Sequence, residues 1–212
     1  MTTATIRRRA QLAQVATRDP RFAPLAEAGA GTPSSIPAVI DGSAMPEPYR
    51  TLLVNQRDMT PNLIAFHGCP LHIVVLDSIH HHPDYRRQVM LLDSGDRPVE
   101  YGAIRIHLDR LPAPAQEEIL HGCKPFGGIL AHYQVPHFSQ PSAFFRVETD
   151  RVLARLFAIL PTEQPTLYGR CNTIALADGH PLAEVVEILP PAALFPHLSH
   201  LPQTPTQPET QP

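Results

Sequence analysis

Several charged side chains stand in stretches of the sequence that read as β-strands, where a charge needs either a partner or a role. Side chains alternate along a strand, so Arg87 shares a face with Val89, and Glu187 shares a face with Val185 and Leu189. Burying an unpaired carboxylate is costly, so Glu187 either pairs with a cation or has a raised pKa. The pattern indicates a structural Arg–Glu pair or a carboxyl group suited to acid–base chemistry.

The elements that carry these residues are short strands joined by hairpins. Strands are predicted over residues 71–76, 85–92, 99–108, 167–176 and 181–189, with turns at 93–96 and 177–180. Helices are predicted over 60–68, 114–120 and 149–160, the last with Thr149 as its N-cap. Consecutive hairpins with a few helices predict an α+β domain. Its single antiparallel sheet has about six strands, with flanking helices and a pocket between sheet and helices.

Composition excludes several classes of protein. The 212 residues include 25 prolines, which is incompatible with an all-helical bundle or a coiled coil. No apolar run is long enough to span a membrane, and the net charge of −3 argues against electrostatic binding to nucleic acid. Three widely spread cysteines and a first segment without a secretory signal favour a reduced, cytoplasmic location.

The chain divides into three predicted regions. Residues 1–48 read as an N-terminal helix and loop extension, 49–192 as the folded domain, and 193–212 as a Pro-rich, disordered tail. Two repeated tripeptides, 67–69 and 121–123, each contain His, Gly and Cys, and 80–82 is a run of histidines. Their spacing matches no metal module, and helix ends before glycine explain both tripeptides. Cys171 reads as a small core residue rather than a nucleophile.

Six motifs occur in an order that resembles a known family. They are residues 57–60, 85–89, 102–105, 125–130, 167–170 and 181–190. Together they resemble the chorismate pyruvate-lyase (4-hydroxybenzoate synthase) superfamily, in particular its uncharacterised chorismate-lyase-like branch. The resemblance covers residues 50–191 and implies a chorismate-lyase-like fold.

The resemblance also implies roles for individual residues. Arg87 matches the family's carboxylate-binding arginine, and Glu187 matches its catalytic-site glutamate. The match in the last strand needs one extra residue, so Glu184 remains an alternative to Glu187. The remaining substrate-binding matches are Met59, Arg105, Phe126, Gly127 and Arg170. Two departures point to a changed substrate: Phe126 is bulkier than the family's leucine, and Gly128 stands where an arginine is usual.

The implied activity is a cofactor-independent carbon–oxygen lyase that converts chorismate to 4-hydroxybenzoate and pyruvate. Aromatisation supplies the driving force, so no metal or redox cofactor is expected. Arginines suit the two carboxylates of chorismate. Glu187 would act as general base at the 4-hydroxyl edge or would only orient the substrate.

Two other functions stay open. One is elimination from, or cyclisation of, a different carboxylate in a biosynthetic pathway. The other is a non-catalytic module that binds an aromatic acid, since related folds serve as effector-sensing domains of transcription regulators. In every case the expected partner is a small molecule, with no nucleic acid and no membrane, and the oligomeric state is not fixed by the pattern.

Overall fold

A computed structural model describes residues 13–28, 32–160 and 162–195. Its centre is one antiparallel sheet with the strand order β1-β5-β6-β7-β4-β3-β2. The strands are β1 Ala38–Ile40, β2 His72–His81, β3 Asp84–Leu92, β4 Pro98–His107, β5 Phe138–Glu148, β6 Thr166–Ala175 and β7 Pro181–Leu189. The predicted α+β class, with a single antiparallel sheet and flanking helices, is confirmed. The sheet has seven strands where the sequence indicated about six.

Seven helices flank this sheet in the described part of the chain. They are α1 (residues 13–18), α2 Ala23–Ala26, α3 Tyr49–Leu53, α4 Met59–His67, α5 Ala113–His121, α6 Phe126–His132 and α7 Arg151–Leu156. Gly68 and Gly122 end α4 and α5 in the left-handed conformation, with φ of 66° and 71°. The two His-Gly-Cys tripeptides therefore contain helix ends, as predicted. None of the helices in these ranges has the length and apolarity needed to cross a membrane.

Helix α7 differs from its prediction at both ends. Its N-cap is Asp150, whose carboxylate accepts hydrogen bonds from the backbone N–H groups of Val152 and Leu153. The hydroxyl of Thr149 instead donates to the carbonyl of Pro165 at 2.5 Å. The helix ends at Leu156, four residues before the predicted end. One oxygen of Asp150 accepts both orphan N–H groups, and its negative charge is favourable at the N-terminal end of the helix.

The strands β1 and β5 and the helix α6 were not predicted. Pro141 lies inside β5, where its missing N–H falls beside a register shift between Pro141 and Ala143. Strand β1 has only three residues, and two of them are exposed. Helix α6 begins with Phe126 followed by two glycines, a composition that disfavours helix.

The two faces of the sheet are covered by different helices. The pocket face, defined as the one that carries Arg87, Gly102 and Glu187, is covered by α3, α4, α5 and α6. The rear face is covered by α2 and α7, through Leu25 and Leu153. Described residues of the predicted extension, such as 23–28, thus pack on the sheet, and a domain boundary at residue 48 stays a prediction. Residues 1–12 and 196–212, which include most of the predicted tail, lie outside the described residues.

Candidate functional site

A cavity lies on the pocket face, between the sheet and the N-terminal ends of α4 and α6. It contains about 450 Å³ of space, counted with the solvent at its mouth. Met59 comes from α4, Phe126 and Gly127 come from α6, and Arg87 and Glu100 come from the sheet. Most of the other side chains that line it are aliphatic. The cavity is therefore an apolar chamber with two buried ionisable groups, the usual design of a small-molecule site.

Gly102 forms part of the cavity floor and gives the cavity depth. It pairs with Val89 on β3 and with Glu187 on β7, so the three residues share the pocket face. A Cβ atom at position 102 would lie 3.2 Å from Val89 Cγ2 and 3.6 Å from Glu100 Oε1. Even one methyl group would occupy space that the glycine leaves open.

Arg87 is a buried cation with unused hydrogen-bond donors. It is 3% exposed, and its Nη2 donates to the carbonyl of Lys124 at 3.2 Å. Its Nε and Nη1 have no hydrogen-bond partner among the described residues. Burial lowers the pKa of Arg87, and the nearby Tyr85 opposes that shift. An arginine stays protonated even so, and this guanidinium is therefore a positive charge without an ion-pair partner among the described residues.

Glu187 is paired with Arg170 directly beside the cavity. The distance from Arg170 Nε to Glu187 Oε2 is 2.5 Å, and both side chains are buried. The other donors of Arg170 bind backbone carbonyls in the segment between α3 and α4: Nη1 donates to Leu53 and Asn55, and Nη2 donates to Arg57. Arg170 thus balances the charge of Glu187 and anchors the chain that leads into α4. The structure therefore contains an Arg–Glu pair, which is one of the two alternatives that the sequence pattern allowed for Glu187.

Glu100 is a cavity residue that the sequence reasoning missed. It is 4% exposed, and it lines the cavity beside Gly102. Burial raises the pKa of Glu100 well above its usual value, the carboxylate of Glu187 adds to the rise, and Arg170 opposes it. The shift favours the protonated form of the carboxyl group. Strand alternation could have found it, because Glu100 shares the face of Gly102.

Arg105 and Glu184, which the resemblance implies as substrate-binding, lie on the rear face, across the sheet from the cavity. There they belong to a rear-face network of six side chains: Glu27, Asp84, Arg86, Arg105, His107 and Glu184. Glu184 Oε2 is 3.1 Å from His107 Nε2 and 3.2 Å from Arg105 Nε. The network joins α2 to three strands, which is a structural arrangement.

A second polar pair stands next to the cavity. Asp58, the N-cap of α4, lies near Gly127, and its Oδ2 is 2.8 Å from His137 Nε2. The other ring nitrogen of His137 is 2.7 Å from the carbonyl of Val135. Burial alone lowers the pKa of His137, but these two acceptors outweigh it and raise the pKa. The pair connects α4 to the segment before β5.

The predicted site residues thus fall into three groups, one of which is the rear-face pair Arg105 and Glu184. Arg87, Met59, Phe126 and Gly127 meet around the cavity. Glu187 and Arg170 stand behind it as an ion pair, outside its lining.

No cluster of three or more His, Cys, Asp or Glu side chains within residues 13–28, 32–160 and 162–195 could hold a metal ion. Burial raises the pKa of the Cys171 thiol.

The chain was compared with known proteins. No family model matches it, and no curated protein matches it. Among solved structures it is similar to PhnF from Mycobacterium smegmatis, with 8% identity, a TM-score of 0.48 and 65% of each chain covered. It is also similar to a possible transcriptional regulator, YydK from Bacillus subtilis, with 11% identity, a TM-score of 0.43 and 58% of each chain covered.

A third similar structure is a transcriptional regulator of the GntR family from Enterococcus faecalis. The identity is 11%, the TM-score is 0.42, and the match covers 57% of this chain and 94% of that one. The match spans less than two thirds of the length of YydK and of PhnF. These likenesses concern the arrangement of elements in space and do not extend to sequence.

Proposed function

We propose that this protein binds a small organic monocarboxylate in the cavity on the pocket face, with Arg87 as the group that binds the carboxylate. The observation that carries the proposal is the guanidinium of Arg87, which is 3% exposed and has two nitrogens without a hydrogen-bond partner among the described residues. Burying a charge without a partner costs several kcal/mol of free energy, because the charge loses its hydration. A carboxylate ligand removes that cost by supplying the counter-ion and the acceptors.

Charge balance favours one anionic group on the ligand. Arg170 and Glu187 neutralise each other, and burial raises the pKa of Glu100, which favours its uncharged form. Arg87 is then left as the unbalanced charge of the cavity. Chorismate has two carboxylates. Arg105 and Arg170, which the resemblance implies as further substrate-binding residues, instead form ion pairs with Glu184 and Glu187. A monoanion therefore fits this cavity better than a dianion.

The shape of the cavity favours a compact, apolar body on that ligand. Most of its lining side chains are aliphatic or aromatic, as is usual for small-molecule sites. Met59, Val89 and Phe126 offer aliphatic and aromatic surface to the space between the sheet and the helices. A carboxylic acid with a single ring satisfies both the apolar walls and the buried cation.

Calorimetric titration with benzoate and 4-hydroxybenzoate tests the proposal. The variant Arg87→Met removes the cation with little change in volume, and Arg146→Met, at an exposed position on β5, is the matched control. A charged hydrogen bond contributes about 1.5–3 kcal/mol, so Arg87→Met should weaken binding by about 10- to 100-fold. The control should bind as the unmodified protein does. Equal affinity in the Arg87→Met variant would mean that the carboxylate does not bind to Arg87.

A second candidate is the lyase reaction on chorismate or on a related carboxylate. It is favoured by the placement of Arg87 and Glu187 on one face of the sheet, two strands apart, with Gly102 between them. Arg87 would bind the ring carboxylate. Glu187 would hydrogen-bond the 4-hydroxyl and either only orient it or accept the hydrogen at C4 as a proton, while the enolpyruvyl group leaves from C3 and becomes pyruvate.

Incubation of the purified protein with chorismate tests this candidate, with 4-hydroxybenzoate and pyruvate measured by chromatography. Equimolar formation of the two products above the protein-free rate supports the lyase. General-base help is worth about 10²–10⁴-fold, so Glu187→Gln should lower turnover by up to that factor. Binding of the benzoates without any turnover of chorismate would reject the lyase and support the function as a binding module.

A further inference from the structure

We propose that the Asp58–His137 pair makes binding in the cavity depend on pH: the cavity holds its anionic ligand while the ring of His137 carries two protons, and it releases the ligand when the ring loses one. The inference rests on the proposed function and adds a regulation of the same site. Both residues lie outside the lining of the cavity, and neither is among the site residues that the family resemblance implies.

Asp58 stands between the cavity and the solvent at the start of α4. On one side it lies behind Gly127, which lines the cavity: a Cβ atom at position 127 would be 3.8 Å from Asp58 Cβ and 3.9 Å from Asp58 Oδ2. On the other side it borders an open depression, which it shares with Gln56, His137, Phe138, Ser139 and Gln140. The charge of this carboxylate therefore acts on a ligand in the cavity, and His137 can exchange protons with water.

Both ring nitrogens of His137 point at oxygen atoms that accept hydrogen bonds and cannot donate them. Nε2 is 2.8 Å from Asp58 Oδ2, and Nδ1 is 2.7 Å from the carbonyl oxygen of Val135. A neutral imidazole has a single N–H group, so only the protonated ring donates to both oxygens. The geometry therefore holds an imidazolium beside a carboxylate, and the pair as a whole carries no net charge.

The carboxylate of Asp58 depends on His137 for its counter-charge. Asp58 is the N-cap of α4, yet its side chain makes no capping hydrogen bond, and its partner in the described part of the chain is His137. The side chains of Asp58 and His137 are 22% and 15% exposed, so solvent screens their charges only in part. When the ring loses a proton to water, Asp58 becomes an uncompensated negative charge behind Gly127. That charge opposes the binding of a carboxylate in the cavity.

The ring of His137 loses its proton above the ordinary pKa of histidine. Burial alone lowers the pKa of His137, but the hydrogen bonds to Val135 and Asp58 and the charge of Asp58 outweigh it and raise the pKa above 6.5. Asp58 is the charged group that acts on the ring, and the other side chains that border the depression do not titrate. Affinity for the anion is therefore full below the raised pKa and falls as the pH rises through it. Arg87 stays charged throughout, whereas Glu100 in the cavity also titrates, so the two contributions must be separated.

Benzoate and benzamide separate the effect of charge from the effect of shape. They have the same ring and nearly the same size, but benzoate is an anion from about pH 6 to about pH 9, whereas benzamide is neutral. Their dissociation constants are measured by calorimetry across this range on the unmodified full chain, on His137→Gln and on His81→Gln, an exposed control on β2. The pKa of the His137 ring is measured by NMR with and without benzoate, and thermal unfolding checks that each variant is folded.

Affinity of the unmodified protein for benzoate should fall by about 5- to 20-fold across the pKa of His137, and affinity for benzamide should change by less than about twofold. By linkage, bound benzoate must then raise the pKa of His137 by the logarithm of the benzoate ratio. His137→Gln should bind benzoate weakly even at the acid end of the range, because an amide does not neutralise Asp58. His81→Gln should match the unmodified protein. If His137→Gln fails to fold, Asp58→Asn decides, and it should move the midpoint of the fall to lower pH.

The outcomes separate this inference from the proposed function. Equal affinity of the unmodified protein for benzoate at both ends of the pH range overturns the role of the pair. So does an equally large fall in His137→Gln, which would belong to Glu100, or a pKa of His137 that bound benzoate leaves unchanged. In these cases a loss of binding in Arg87→Met still supports Arg87 as the carboxylate-binding residue. If the unmodified protein binds benzoate at no pH, both the inference and the proposed ligand class are overturned.

Discussion

Arg170 Nε and Glu187 Oε2 lie 2.5 Å apart in the interior of the protein, with the Arg170 side chain fully buried. The same guanidinium donates to the carbonyls of Leu53, Asn55 and Arg57. One ion pair therefore connects two central strands to the segment that begins α4. Because α4 supplies Met59 to the cavity, this pair positions part of the candidate site without lining it.

The first prediction concerns the stability that this pair provides. Arg170→Met leaves the Glu187 carboxylate buried without a cation, so the free energy of unfolding in urea should fall by about 3–5 kcal/mol. The double variant Arg170→Met with Glu187→Leu removes both charges and should lose less than Arg170→Met alone. Arg146→Met is the exposed control and should change little. A loss below about 1 kcal/mol in Arg170→Met would contradict this account of the pair.

The second prediction is a loss of stability in acid that comes from the rear-face network. Burial alone would raise the pKa of Glu184, but hydrogen bonds from His107 and Arg105 outweigh it and lower the pKa to about 2. The folded-state pKa lies below the ordinary value of 4.5, so Glu184 stabilises the protein above that pH. This contribution should disappear as the pH falls from about 4.5 to about 2. Urea unfolding at a series of pH values should show it, and Glu184→Gln should flatten that part of the curve.

His107 should produce the opposite trend at higher pH. The hydrogen bond with Glu184 raises the pKa of His107 above 6.5, against a smaller effect of burial. The protonated form therefore stabilises the folded state below pH 6.5, and this contribution is lost as the pH rises through the folded-state pKa. His107→Gln should remove the trend. If the free energy of unfolding still depends on pH between 6 and 9 in that variant, another group causes the dependence.

The third prediction concerns the cavity floor. A methyl group in Gly102→Ala would contact Val89 at 3.2 Å and reduce the space above the sheet, so affinity for benzoate should fall. Gly128→Ala is the matched control, because nothing lies within 4 Å of a Cβ atom at that position in α6. The control should gain about 0.5–1 kcal/mol of stability from helix propensity and bind benzoate normally. Unchanged affinity in Gly102→Ala would place the ligand away from the sheet.

The sequence predicted the site in part, and the reasons are local. The alternation of side chains along a strand correctly placed Arg87 on the same face as Val89. It also placed Arg105 on the opposite face from the even-numbered residues of its own strand. It did not show how the strands pair, and a shift of one residue in register moves every side chain to the other face. Arg105 and Glu184 were candidates for the substrate through the family resemblance alone, and the pairing of β4 with β7 places them opposite each other on the rear face.

Other features were missed because their sequences conflict with their structures. The two glycines that follow Phe126 disfavour a helix where α6 forms, and Pro141 disfavours a strand where β5 forms. Glu100 stood in a predicted strand, but only the covering helices show that its side chain is enclosed. Local patterns indicate elements and faces, whereas burial and pairing depend on contacts between distant parts of the chain.

The fourth prediction concerns the size of the ligand. Phe126 is 6% exposed and lines the cavity at the start of α6, where the resembling family has a leucine. Phe126→Leu should widen the cavity, since protein interiors relax only partly into a space that is left. Affinity for 2-naphthoate should therefore rise relative to benzoate, at a stability cost of about 1–3 kcal/mol for the lost packing. The measurement is the ratio of the two dissociation constants in the variant and in the unmodified protein. A ratio that does not change would show that the ring of Phe126 does not limit the ligand, and the size limit would then lie with Met59 and α4.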